Sequence, residues 1–224
     1  MLKCEVYGDS AVLLTFSEGF SEEIHTIIVN YTRSLKEKKI EGIVAIIPAF
    51  TTITISYDAH IISFKELKAL LLHIPLEEKK GQLTRLIEIP VCYDTEFGKD
   101  FEELILHTGL TKEEIISLHT APEYLVYMLG FTPGFFYLGG LDEKLFCPRK
   151  ANPRMRIEEG AVGIGGQQTG VYSVASPGGW QIIGKTPVKI FDKTNLETPF
   201  KVQQGDRIKF VEISLEEYKN LKHD

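Results

Sequence analysis

Four cations, Arg149, Lys150, Arg154 and Arg156, fall within eight residues on the segment Pro148-Arg149-Lys150-Ala151-Asn152-Pro153-Arg154-Met155-Arg156. Guanidinium forks match carboxylate and phosphate, so this segment is the first candidate for an anion site. A solvated irregular loop would have the same composition. The two Pro-Arg pairs favour a held loop, because each proline fixes its own φ and biases its predecessor towards extended backbone. Downstream, Gly163-Ile164-Gly165-Gly166-Gln167-Gln168-Thr169-Gly170-Val171-Tyr172 leads to Ser176-Pro177-Gly178-Gly179-Trp180. Glycine lets a ligand or another chain approach the backbone, and Gln168, Thr169, Tyr172 and Ser176 add neutral donors and acceptors suited to an amide-like substrate. The same glycines serve equally for hairpin turns and barrel corners. Trp180, the only tryptophan, is expected in the core with its indole N–H partnered.

His119 precedes Ala121-Pro122 at the end of an expected helix. A general base or a substrate donor is conceivable there, but a histidine favoured by the helix C-terminal dipole is the plainer account. His25, His60, His73, His107 and His223 have no metal-ligand spacing with carboxylates. Cys4, Cys92 and Cys147 form no C-x-x-C and have no histidine close by, so small buried hydrophobes are expected rather than a disulfide or a zinc site. Without G-x-S-x-G or S-x-x-K, covalent catalysis has no candidate. Gly179 to Thr186 satisfies the P-loop pattern G-x-x-x-x-G-K-[ST] letter for letter. That loop needs a strand before it and a helix starting at the Lys-Thr. Here a Ser-Pro-Gly turn precedes, Trp180 to Ile183 is strand-like, and Pro187, Val188, Ile190 and Phe191 continue as strand, so Lys185 is expected to be a strand-end lysine.

These residues must be held by a chain of 224 residues, 43% of them apolar, enough for one large domain or two small ones. With 25 basic against 31 acidic residues the net charge is −6, which leaves no basic excess for a nucleic-acid backbone. The longest apolar runs, such as Ile43 to Phe50, fall well short of the roughly 20 residues that span a bilayer. No secretory signal is visible, so a cytoplasmic protein is expected. Twelve of the 19 glycines lie between Gly130 and Gly184, and that shift divides the chain into two regions.

In the first region, Cys4–Tyr7 and Ala11–Phe16 flank Gly8-Asp9-Ser10 as a hairpin, and a helix is expected from about Phe20 to Lys38. Two strands follow, at Ile43–Ile47 and around Thr51–Tyr57, and then a helix opened by a Ser63/Glu66 capping box. Two strands, helix, two strands, helix is an α+β sandwich, of ferredoxin-like type, over residues 1–82. The charged run Glu77 to Gly81 reads as a linker. Residues 83–224 are expected to hold a strand at Arg85–Val91, two helices opened by Asp100/Glu103 and Thr111/Glu114, a mainly-β barrel and a terminal helix at Leu215–Leu221.

Tyr127 to Leu138 (YMLGFTPGFFYL), Pro148-Arg149, Pro153-Arg154, Gly165 to Tyr172 and Ser176 to Trp180 together resemble the signature of the B subunit of bacterial ATP-dependent 5-oxoprolinase. The same family includes an inhibitor of a sporulation sensor histidine kinase and was long labelled allophanate hydrolase subunit 1. The resemblance is strong from about Pro90 to Pro187 and weak elsewhere. It implies a cyclophilin-like barrel in the second region. It also implies A and C partner subunits, and use of ATP to open the lactam of 5-oxo-L-proline to L-glutamate. His119, Tyr127, Arg149, Arg154, Gln168, Thr169, Tyr172, Ser176, Gly178, Gly179 and Trp180 match the family pattern, with His119 the single catalytic candidate and the rest substrate-binding candidates. Phe136, Ser173 and Lys185 depart from it. The alternative the family offers is a non-enzymatic kinase inhibitor docking through an exposed groove of Phe135, Phe136 and Tyr137.

Overall fold

The computed structural model describes residues 2–19, 21–76, 85–195 and 197–222. The chain divides into two compact units, Met1–Leu83 and Thr84–Asp224. The linker expected at Glu77 to Gly81 and the boundary near residue 82 lie outside the described residues.

In the first unit, β1 (Lys3–Val6) and β2 (Ala11–Thr15) pair antiparallel as a hairpin. Helix α1 (Glu22–Glu37) follows, started by the Ser21 hydroxyl accepting from Ile24 N–H. Next come β3 (Ile43–Pro48), β4 (Thr52–Tyr57) and α2 (Phe64–Leu72), the last opened by the expected Ser63/Glu66 box. The sheet order is β1-β2-β4-β3. Alternation decides which face is dry: Val12 and Leu14 of β2, and Ile53 and Ile55 of β4, are buried against Ile28, Tyr31 and Leu35 of α1 and Leu67 and Leu71 of α2.

The second unit begins with β5 (Leu86–Cys92), α3 (Phe101–Thr108) and α4 (Lys112–Thr120). It continues through β6 (Tyr124–Leu129), β7 (Phe136–Gly139), β8 (Arg154–Ile157), β9 (Ala161–Gly165) and β10 (Gln168–Val171). It ends with β11 (Ser176–Gly178), β12 (Gln181–Lys185), β13 (Arg207–Ile213) and α5 (Leu215–Leu221). A closed barrel runs β10-β7-β6-β13-β5-β12-β9, and β11 with β8 forms a two-stranded flap. The β13/β5 pair is parallel, with Arg207 opposite Leu86 and Ile213 opposite Cys92, while the other barrel pairs are antiparallel. Arg85 and the buried Asp206 brace this seam through two hydrogen bonds, Nε–Oδ1 at 3.0 Å and Nη2–Oδ2 at 2.5 Å. The barrel is filled by Ile89, Val91, Val126, Phe136, Leu138, Val162, Ile164, Ile208 and Phe210. The P-loop look-alike is therefore strand β12, with Lys185 at its end.

Candidate functional site

Of the candidate residues, Tyr172 and Trp180 lie in an aromatic cluster distinct from the barrel core, together with Phe135, Ile157 and Ile182 and with Tyr137 packed against it. Phe135, Tyr137 and Tyr172 stand edge-on to Trp180 at centroid distances of 5.4, 6.0 and 6.4 Å. The Arg149 guanidinium lies over the Trp180 ring, 6.0 Å from its centroid. Arg149 is exposed, whereas Trp180 is buried. Burial raises the Tyr137 phenol above its ordinary value and Arg149 pulls it back. Burial likewise pushes Tyr172 up to about 12, against the Trp180 backbone N–H and Arg149. At neutral pH both phenols are protonated donors beside a fixed cation. The arrangement can bind an oxyanion on Arg149 against a flat apolar wall.

The arginine loop is held from beneath by Asp100, a residue whose spacing to Glu103 predicts a cap on α3. No side-chain cap bond forms there. The carboxylate is buried and accepts from Arg154 Nη1 at 2.7 Å and Nη2 at 2.5 Å, Lys150 Nζ at 3.0 Å and the Ile182 N–H at 2.6 Å. Burial works to raise its pKa, but the bonds from Arg154, Ile182 and Lys150 outweigh it and hold the carboxyl below its ordinary value. Arg154 is thus neutralised inside the protein and is not a free anion receptor. Lys150 also pairs with Glu103 at 2.5 Å, and Arg156 with Glu158 at 2.9 Å. Of the four cations in the loop, Arg149 alone has no ion pair among the described residues.

The glycine-rich wall packs closely onto aromatic rings. A Cβ on Gly165 would collide with the Trp180 ring, and one on Gly178 with the Tyr172 hydroxyl. These glycines make room for aromatic side chains, which corrects the expectation that they open the backbone to a ligand. Gly179 O accepts from Lys150 N–H at 2.7 Å and so pins the arginine loop. Thr169 is fully buried, donating to Gly163 O at 3.0 Å. Its oxygen lies 2.8 Å from His119 Nε2, so its hydroxyl faces the protein interior rather than a binding wall. Gln168 is half-buried beside it. Ser176 is buried, and its hydroxyl has no hydrogen-bond partner among the described residues. Tyr127 is buried, its ring packed against Gly139 and its carbonyl accepting from Gln204 Nε2 at 2.9 Å.

His119 is fully buried, stacked on Phe210 at 4.6 Å. Because the Thr169 hydroxyl donates to Gly163, its oxygen accepts from His119 Nε2–H. Nδ1 is then the acceptor for the Tyr93 O–H at 2.8 Å. Burial pulls the ring down to about 3. The imidazole is neutral at ordinary pH, so the helix-dipole account, which needs a cation, is corrected. The docking groove expected of the aromatic run is corrected too, since Phe135 and Phe136 are 2% and 0% exposed. Asp100, Tyr93 and Tyr137 were missed as site residues. Only Tyr137 carried a signal, its place in the aromatic run; an aspartate before a helix looks the same whether it caps that helix or pairs with Arg154.

Residues 2–202 match the family described as carboxyltransferase domain, subdomain C and D, and the chain belongs to that family. It is 40% identical to the B subunit of 5-oxoprolinase from Bacillus subtilis, over 98% of this chain and 96% of that protein. The crystal structure of TTHA0988 is similar at a TM-score of 0.81 and 36% identity over 96% of this chain, which spans only 40% of that longer chain. Kluyveromyces lactis urea carboxylase shares the fold, at a TM-score of 0.83 and 19% identity over 100% of this chain and 23% of that one. Among the described residues no group of His, Cys, Asp and Glu could hold a metal, and no helix is long and apolar enough to cross a membrane.

Proposed function

We propose that this chain is the B subunit of an ATP-dependent 5-oxoprolinase, acting with A and C subunits to open the lactam of 5-oxo-L-proline to L-glutamate. The observation that carries this reading is the 40% identity to a protein of that name across nearly the whole of both chains. Arg149, set over Trp180, takes the substrate carboxylate, and Gln168 with the Tyr137 phenol serves the lactam amide. Arg154, Tyr172, Ser176, Gly178, Gly179 and Trp180 build and hold that wall, with Tyr127, Thr169 and His119 behind it. A lactam is an unactivated amide. Transfer of a phosphoryl group from ATP to its oxygen opens the ring carbon to one water. The C–N bond then breaks with the nitrogen leaving as the amine and an acyl phosphate remaining, and a second water hydrolyses that acyl phosphate to the carboxylate and inorganic phosphate.

The two compact units are read as two domains. The first has the strand order of a ferredoxin-like sandwich with the chain order shifted by one strand-helix unit, and the second is a cyclophilin-like barrel. Three free, buried cysteines suit a reducing, cytoplasmic setting. The test is to mix the three subunits and measure glutamate released from 5-oxoproline in the presence of ATP. Omitting this chain is expected to abolish release, and Arg149→Ala to raise KM at least about tenfold, the loss of roughly 1.4 kcal/mol or more of carboxylate binding. Unchanged turnover without this chain overturns the reading.

A further inference from the structure

We propose that a second cleft on the barrel unit, lined by Phe97, Lys99, Arg154, Arg156, Ile182 and Lys185, binds a small doubly charged oxyanion, either inorganic phosphate or the terminal phosphate of a nucleoside triphosphate. Arg149 and Trp180 do not line it, although Arg154 and Ile182 border both places. The cavity measures about 320 Å³, room for a phosphate and part of a substituent. Its charges do not cancel. Arg154 is neutralised by Asp100 and Arg156 by Glu158, which removes Glu158, a lining carboxylate, from the balance. What remains is Lys99 and Lys185 against Glu96.

Lys185 is half-buried at the end of β12 and has no carboxylate within ion-pair distance among the described residues. Its Nζ sits 6.0 Å from the Phe97 ring centroid, and both residues line the cleft. Burial lowers its pKa, and the nearby charges of Lys222 and Lys99 push the same way, against Glu158 and Glu159. Lysines so placed repel one another in a partly desolvated space. An oxyanion between them removes that repulsion and supplies the acceptors their N–H groups lack.

The experiment is calorimetric titration of the purified chain with inorganic phosphate and, separately, with ATP, at ionic strength held constant with chloride. Binding to the unaltered chain is expected to weaken at least about tenfold in Lys185→Gln and in Lys99→Gln, and to persist in Lys189→Gln, whose lysine pairs with Asp192 elsewhere. Thermal melts of each variant establish that it is folded. If the loss extends to ATP, the occupant is a nucleotide's terminal phosphate; if it is confined to inorganic phosphate, the occupant is the free ion. No binding of either ligand, or folded lysine variants that bind as well as the unaltered chain, overturns the proposal.

Discussion

A neutral histidine inside the barrel makes this protein sensitive to acid in a defined window. His119 in the folded state titrates at about 3 because it is buried, while the unfolded chain takes up that proton near its ordinary value of about 6.5. Below about pH 6.5 the unfolded state therefore binds more protons than the folded one. Stability is lost by up to about 1.4 kcal/mol per pH unit on the way down, and this contribution is intact above pH 6.5. Urea melts from pH 8 to 4 should show this slope, and His119→Gln should remove it while lowering stability at pH 7 through the disturbed Tyr93 and Thr169 bonds. An identical slope in that variant would refute the assignment.

At the scale of elements, the arginine loop depends on one carboxylate drawn from a neighbouring helix start. Asp100→Ala leaves Arg154 and Lys150 partly buried without their shared partner, a change that costs about 3–5 kcal/mol where an ion pair is fully buried and less here because both cations are part-exposed. Melting should show the loss of stability, and a raised KM for 5-oxoproline with a smaller change in kcat should show that the loop has loosened around Arg149. Unaltered stability and KM would mean the loop is held by other contacts.

The contrast among helix starts explains how much was legible in the sequence. Thr111/Glu114 and Ser63/Glu66 form the capping boxes their spacing implies, because a cap is decided within four residues. Asp100/Glu103 has the same spacing and forms none, because its partners lie 50, 54 and 82 positions away. The helices, the strands of the first unit and β5 were readable from local periodicity, as was the failure of Gly179 to Thr186 to form a P-loop. The short strands β6 to β11 and β13 were not placed individually, and Pro187 to Phe191, expected to continue as strand, does not form one. Which glycines face aromatic rings and which cations are already paired were not readable, because both are set by packing between distant strands.

For the molecule as a whole, the net charge of −6 conceals how positive charge is distributed. Three of the four cations of the arginine loop are paired internally, while Arg149, and outside the loop Lys99 and Lys185, have no ion pair among the described residues. The barrel's integrity rests on the parallel seam. Arg85→Ala leaves the buried Asp206 carboxylate without its cation, with the Gln203 N–H at 2.7 Å still donating to it, and is expected to destabilise the second unit by about 1–3 kcal/mol, since Arg85 is itself half-exposed. Hydrogen exchange should locate the loss in β5 and β13; uniform protection there would show that the seam does not need its brace.

That seam also has a consequence for how the protein is born. Strand β13 lies between β5 and β6, yet it pairs with residues made roughly 120 positions earlier. On the ribosome, the edges of β5 and β6 therefore stay unpaired until β13 emerges, and a chain stalled short of residue 207 carries two bare sheet edges ready to join a neighbour's. The nascent chain is most in need of shielding until β13 has emerged.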